Sequence, residues 1–171
     1  MIAVLVDNEP GVLARVIGLF SGRGYNIESL TVSEVDADVG LSRINLVTIG
    51  TPMVIEQIKN QLDCLVPVHT VHDLTEEGPH VEAELVLVKV VGVGDKRVEA
   101  LRIADIFGAK VDDTTLESFI FRLDGQTEKI DRFIELMRPL GLVEVARTGG
   151  VAISRGSEGI KPLASTWSIS E

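Results

Sequence analysis

The chain has 171 residues, a formal net charge of −10, an aromatic content of 4% and a single cysteine. That charge opposes nucleic-acid phosphates and anionic membrane surfaces, whose non-specific binders need clustered Lys and Arg, so both partner classes are set aside at the outset. Cys64 has no partner for an internal disulfide, and no signal-peptide pattern or apolar stretch of about 18 residues occurs; the expectation is a soluble cytoplasmic protein, or a plastid one if a transit peptide has been removed.

With so few aromatics the core must come from Val, Ile and Leu, which favours strands in compact α/β packing. Ile2 to Asp7 is an apolar run that reads as a strand. Leu13, Val16, Ile17 and Phe20 then recur at helical spacing, with Gly22 and Gly24 ending the helix. Ile27 to Val35 and Leu41 to Ile49 read as an antiparallel pair joined by Asp36 to Gly40. Pro52 opens a second helix with Val54 or Ile55, Ile58, Leu62 and Leu65 on one side, and Val66 to Asp73 is a closing strand. The order is βαββαβ.

After the polar connector Thr75 to His80 the pattern starts again. Val81 to Val91 reads as a strand, and Ala100, Ile103, Ala104 and Phe107 as a helical stripe. Ala109 to Thr115 and Ser118 to Leu123 read as paired strands, Ile130, Phe133, Ile134 and Met137 as the next stripe, and Leu142 to Val145 as the last strand. The fold class is therefore α+β, with two ferredoxin-like βαββαβ domains at 1–74 and 81–159 and a linker at 75–80. Past Arg147 the composition turns to Gly, Ser and Thr, so this end should be poorly ordered alone, with 160–171 a flexible tail. Each unit leaves one sheet face and an edge strand open, which favours a homo-oligomer.

Candidate chemistry is sparse. His69 and His72, three apart on a strand, point to opposite faces, and His80 lacks a patterned carboxylate, so structural or solvent-exposed roles are expected in place of a metal site. Cys64 has no patterned base and reads as buried or part-buried packing. Gly92-Val93-Gly94-Asp95-Lys96-Arg97 puts Arg97 where a dinucleotide fingerprint needs its third glycine, so a mobile loop is expected there. The adjacent pairs Glu76-Glu77 and Asp112-Asp113 read as solvated turns. No nucleophile and base set emerges, and the sheet-face aromatics that RNA recognition would need are missing.

The turn Asp7-Asn8-Glu9-Pro10-Gly11-Val12-Leu13 carries more. Pro10 is preset for a first helical turn and Gly11 strips the backbone bare, so unpaired N–H groups there suit a carboxylate. On local sequence a plain helix start and a ligand site stand level. The second junction, Arg23 to Leu30, tips the balance: Asn8 and Asn26 offer donors and acceptors for a zwitterion, and Val12, Leu13 and Ile27 suit an aliphatic side chain.

Asn8 to Val16 together with Arg23 to Val32 closely resembles the N-terminal ACT domain of the small regulatory subunit of acetolactate synthase, also called acetohydroxyacid synthase. Glu56-Gln57-Ile58, Leu87 to Val90, Glu144 to Gly149 and Ser154-Arg155-Gly156 resemble later landmarks of that family, so the resemblance runs from Met1 to about Gly159. It implies a non-catalytic, homodimeric subunit that activates a large catalytic subunit and confers valine feedback in branched-chain amino-acid biosynthesis. No cofactor is expected on this chain; thiamine diphosphate, magnesium and FAD are expected in the large subunit. The resemblance places the effector between two ACT domains, with Asn8, Gly11, Val12 and Leu13 from one protomer facing Asn26 and Ile27 of the other. The rival readings are a free-standing ACT amino-acid sensor that regulates another enzyme and, more weakly, a small α/β enzyme.

Overall fold

The computed structural model describes residues 1–160. Its first strand, β1 (Ile2–Asp7), is apolar without alternation because both faces are covered: Ile2, Ala3, Val4, Leu5 and Val6 are all buried. Helix α1 (Val12–Arg23) runs between two left-handed glycines, Gly11 at φ 88° and Gly24 at φ 69°. Gly22 lies inside the helix; Gly24 alone ends it. Strands β2 (Ser29–Asp36) and β3 (Leu41–Val47) form the expected antiparallel pair. Their connection is held by Asp36, whose carboxylate accepts from the N–H groups of Asp38 at 3.0 Å and Val39 at 3.3 Å. Helix α2 (Pro52–Asp63) opens on Pro52 as expected, with the Thr51 hydroxyl accepting from the Val54 N–H at 3.4 Å. Strand β4 (Val68–Asp73) then completes a sheet of order β2-β3-β1-β4. Ile2, Val4 and Val6 pack with Val12, Val16, Phe20, Ile58 and Leu62 beneath the two helices.

The phase of α1 differs from the expected stripe. Val12, Val16 and Phe20 are its buried residues, while Leu13 and Ile17 are 37% and 41% exposed. Both sets satisfy a 3.6-residue period, and only the sheet's position decides between them.

The second unit repeats the plan with β5 (His80–Val91), α3 (Asp95–Phe107), β6 (Lys110–Thr114), β7 (Ser118–Gly125), α4 (Thr127–Met137) and β8 (Leu142–Arg147). Its sheet runs β6-β7-β5-β8, and β9 (Val151–Ser154) also pairs with β5. Val86, Val88 and Val90 alternate inward to meet Phe119, Phe121, Leu123 and all four residues of the expected α4 stripe, Ile130, Phe133, Ile134 and Met137. The Gly92 segment is tethered, contrary to the mobile loop expected: the Gly92 N–H donates to the Glu117 carbonyl at 2.8 Å, and Gly94 begins α3. Asp112 and Asp113 lie in an exposed strand instead of a turn, with Asp112 3.2 Å from the Arg122 guanidinium.

Among the described residues the chain divides into a unit of Met1–Val81 with residues 152–160 and a unit of Glu82–Val151. The sequence-based boundary at 159 therefore gives way: the last described residues return to the first unit. Ala152 packs against Ala3 and Leu74, the Arg43 guanidinium donates to the Ala152 carbonyl at 2.5 Å, and the Arg155 N–H donates to the Pro79 carbonyl at 3.0 Å. Strand β9 was not expected, and 161–171, most of the expected tail, lies outside the described residues. Among the described residues no helix is long and apolar enough to cross a membrane.

Candidate functional site

The turn after β1 is fixed from both sides. The Asp7 N–H donates to the Pro67 carbonyl at 2.9 Å and the Asn8 N–H to the Gly40 carbonyl at 2.7 Å. Gly11 follows at φ 88°, and a Cβ built there would meet nothing within 4 Å, so the glycine is required by conformation, with open space around it. Helix α1 receives no side-chain cap and has no acidic residue in its first turn. The Val12 N–H has only a long 3.4 Å contact with the Glu9 carbonyl. A helix start left this bare presents N–H groups and a partial positive charge to an incoming anion.

Asn8 is exposed and its amide donates to Glu34 on β2 at 2.9 Å. At the other end of α1, Asn26 is exposed, its amide donates to Glu28, and its carbonyl accepts from the Thr48 hydroxyl at 2.6 Å. Each asparagine thus has a carboxylate beside it that can attract an ammonium group. Sequence reading missed these neighbours. The Asn26–Glu28 spacing of two was a usable local signal, whereas Glu34 meets Asn8 only through the sheet register.

The six expected site residues fall into two groups. Asn8, Gly11, Val12 and Leu13 gather at the start of α1, and Asn26 and Ile27 lie just beyond its end. Twelve residues of helix separate the groups by about 18 Å, while one residue of extended chain spans only about 3.5 Å. No single amino acid can touch both groups within one chain. Val12 also changes role: at 4% exposure its side chain belongs to the core, leaving only its N–H for a ligand. Leu13 is exposed and Ile27 half-buried, so both side chains are accessible at the surface. Leu13, Ile17 and the 44%-exposed Val32, which pairs with core Ile44 and so sits on the helix-covered face, line the flank next to edge strand β2.

Other candidates resolve into structural contacts. His69 lies 2.6 Å from Asp7 and His72 2.8 Å from Glu77. Cys64 is exposed, not packed as expected, because it caps the end of α2. Among the described residues no group of three or more His, Cys, Asp or Glu could hold a metal ion. The second unit has one partly buried ionic network: the Arg147 guanidinium grips Glu84 through Nε at 2.6 Å and Nη2 at 2.9 Å and reaches Asp131 at 2.7 Å. These hydrogen bonds, Glu84's first, raise the Arg147 pKa further.

A family model described as the AHAS small subunit-like ACT domain matches residues 2–70, and one described as the small subunit of acetolactate synthase matches residues 83–156. The chain belongs to the acetolactate synthase small-subunit family. Among relatives of that family, the probable small subunit of Archaeoglobus fulgidus is 46% identical over 157 residues, covering 92% of this chain and 97% of the relative. The isozyme 3 small subunit of Escherichia coli is 46% identical over 159 residues, covering 92% and 96%. The crystal structure of the Thermotoga maritima small subunit superposes with a TM-score of 0.81 at 38% identity, covering 92% of this chain and 97% of that one. The first unit is accordingly an ACT domain, and small-subunit membership extends through the second.

Proposed function

We propose that this chain is the regulatory partner of a large catalytic acetolactate synthase subunit, raising its activity and making it sensitive to valine in branched-chain amino-acid biosynthesis. In this reading the large subunit carries thiamine diphosphate, magnesium and FAD, and this chain does no chemistry of its own. The observation that carries the effector assignment is the bare start of α1 at Gly11, which lacks both a side-chain cap and a first-turn acid inside a family-matched ACT domain.

The valine carboxylate would rest on the N–H groups following Gly11, with the ammonium near Asn8 or the Asn26 carbonyl and the isopropyl group against Leu13 and Ile27. Because the two groups lie a helix length apart, one valine must draw on two protomers. The apolar flank of Leu13, Ile17 and Val32 beside the outer edge of β2, free among the described residues, favours such a homodimer. Valine then regulates by binding one dimer arrangement better than another; equal affinity would shift nothing. Isoleucine and leucine, with one more methylene, should compete more weakly, by about 1–3 kcal/mol.

The test is reconstitution with the large subunit of the same organism, following pyruvate condensation with and without this chain and valine. Stimulation that valine reverses is the expected result. An unchanged rate at saturating small subunit would sink the reading, and would leave a free-standing amino-acid sensor in its place.

A further inference from the structure

On the flank of α1 away from Leu13 and Ile17, helices α1 and α2 border an open groove of about 560 Å³ whose lining includes Arg15, Gly18, Gly22, Arg23 and Gln61. At about 100° per residue, its α1 residues face nearly opposite the proposed dimer flank, so dimerisation leaves the groove open. Two observations give it a chemistry. Arg15 and Arg23 form no ion pair among the described residues, although the chain carries a net charge of −10. A Cβ at Gly18 or Gly22 would meet nothing within 4 Å, so α1 exposes a low, bare surface at these two positions, one turn apart.

We propose that this groove docks an acidic helix of the large catalytic subunit; the inference rests on the function proposed above and names the surface it uses. Arg15 and Arg23 are eight residues apart, about 12 Å along the helix axis, matching carboxylates two turns apart on a facing helix. Between them Gly18 and Gly22 let the two backbones approach at the short end of the helix-packing range, about 8 Å between axes. A small anion would answer one arginine and leave the groove largely empty.

Two variants of the full-length chain test this with purified large subunit. Gly18→Leu fills the groove while raising helix propensity, and the double variant Arg15→Glu/Arg23→Glu reverses its charge. The concentration giving half-maximal stimulation should rise at least about tenfold in each. Its dependence on salt should flatten in the charge variant. Valine binding by isolated Gly18→Leu should stay within about twofold of wild type, since Gly18 lies mid-helix, away from both proposed halves of the effector site. Unchanged half-maximal concentrations for both variants, alongside a stimulating wild type, would overturn the groove alone. Loss of self-association in place of partner affinity would assign the groove to a second copy and also overturn it. A wild-type chain that neither binds nor stimulates the large subunit would overturn both readings.

Discussion

Replacing Gly11 by Asp and, separately, by Asn isolates the charge at the proposed anion site. Both side chains fit, because the Cβ direction is open, and both residue types tolerate the left-handed φ of 88° better than other non-glycines, so a strain of roughly 1 kcal/mol is common to the two. Their difference is one negative charge near the first-turn N–H groups. At a separation of about 5 Å from a bound carboxylate, the repulsion is about 3 kcal/mol at an effective dielectric of 20 and about 1 kcal/mol at that of water. Valine should therefore bind Gly11→Asp about 5- to 150-fold more weakly than Gly11→Asn. Calorimetric titration at low salt measures this, with unfolding midpoints to show that both variants remain folded; added salt should narrow the gap. Stimulation of the large subunit should outlast valine inhibition. Equal valine affinity in the two variants would refute the placement of a carboxylate at this helix start.

Asn8→Ala and Asn26→Ala should each weaken valine binding by about 1–3 kcal/mol without unfolding, both residues being exposed, and mixing the two variants should restore one intact pocket per heterodimer. Verified heterodimers that recover no binding would argue against a site shared between chains. Gly141→Ala would place a Cβ 1.9 Å from the Val91 carbonyl oxygen at φ 107°, costing more than about 4 kcal/mol in urea denaturation, whereas Gly108→Ala, with open space at φ 72°, should cost only about 1–2 kcal/mol. Similar losses for the two would mean that the close approach of Gly141 to β5 is wrong. Glu84→Ala should destabilise by about 2–3 kcal/mol, less than the 3–5 usual for breaking a buried pair, because Arg147 is one-third exposed and can rehydrate. A change below about 1 kcal/mol would show that the network adds little to the second unit.

Local chemistry made most elements legible in the sequence. Pro10 and Gly11 announced α1, Asp36 and Gly40 the first hairpin, and the α4 stripe was read residue for residue because α4 is amphipathic and its apolar set admits one phase. In α1, two apolar sets share the helical period, and the choice between Val12 and Leu13 as the buried residue depends on a sheet that local spacing does not locate. The same ambiguity misassigned Val12 as a pocket wall. Strand β9 escaped because four residues after a pair of glycines carry almost no periodic signal, and its contacts with Arg43 and Leu74 come from far along the chain. Glu34 escaped for a similar reason, since only the fold brings it beside Asn8.

The return of Ala152 to cover Ala3 and Leu74 has a consequence for how the protein is made. Its first unit is interrupted by an insertion of roughly 70 residues, so a nascent amino-terminal half leaves the ribosome with Ala3 of β1 and the adjoining Leu74 still uncovered by Ala152. At about 5–20 residues per second, that state lasts roughly 4–14 s before the covering segment is synthesised. Joining ends that far apart in a loose chain costs about 4 kcal/mol of loop entropy, and folding the inserted unit first removes most of that cost by drawing its own ends together. The residues translated first are therefore among the last to reach their final surroundings, and a chain cut short before residue 152 would emerge with an apolar patch that the finished protein keeps hidden.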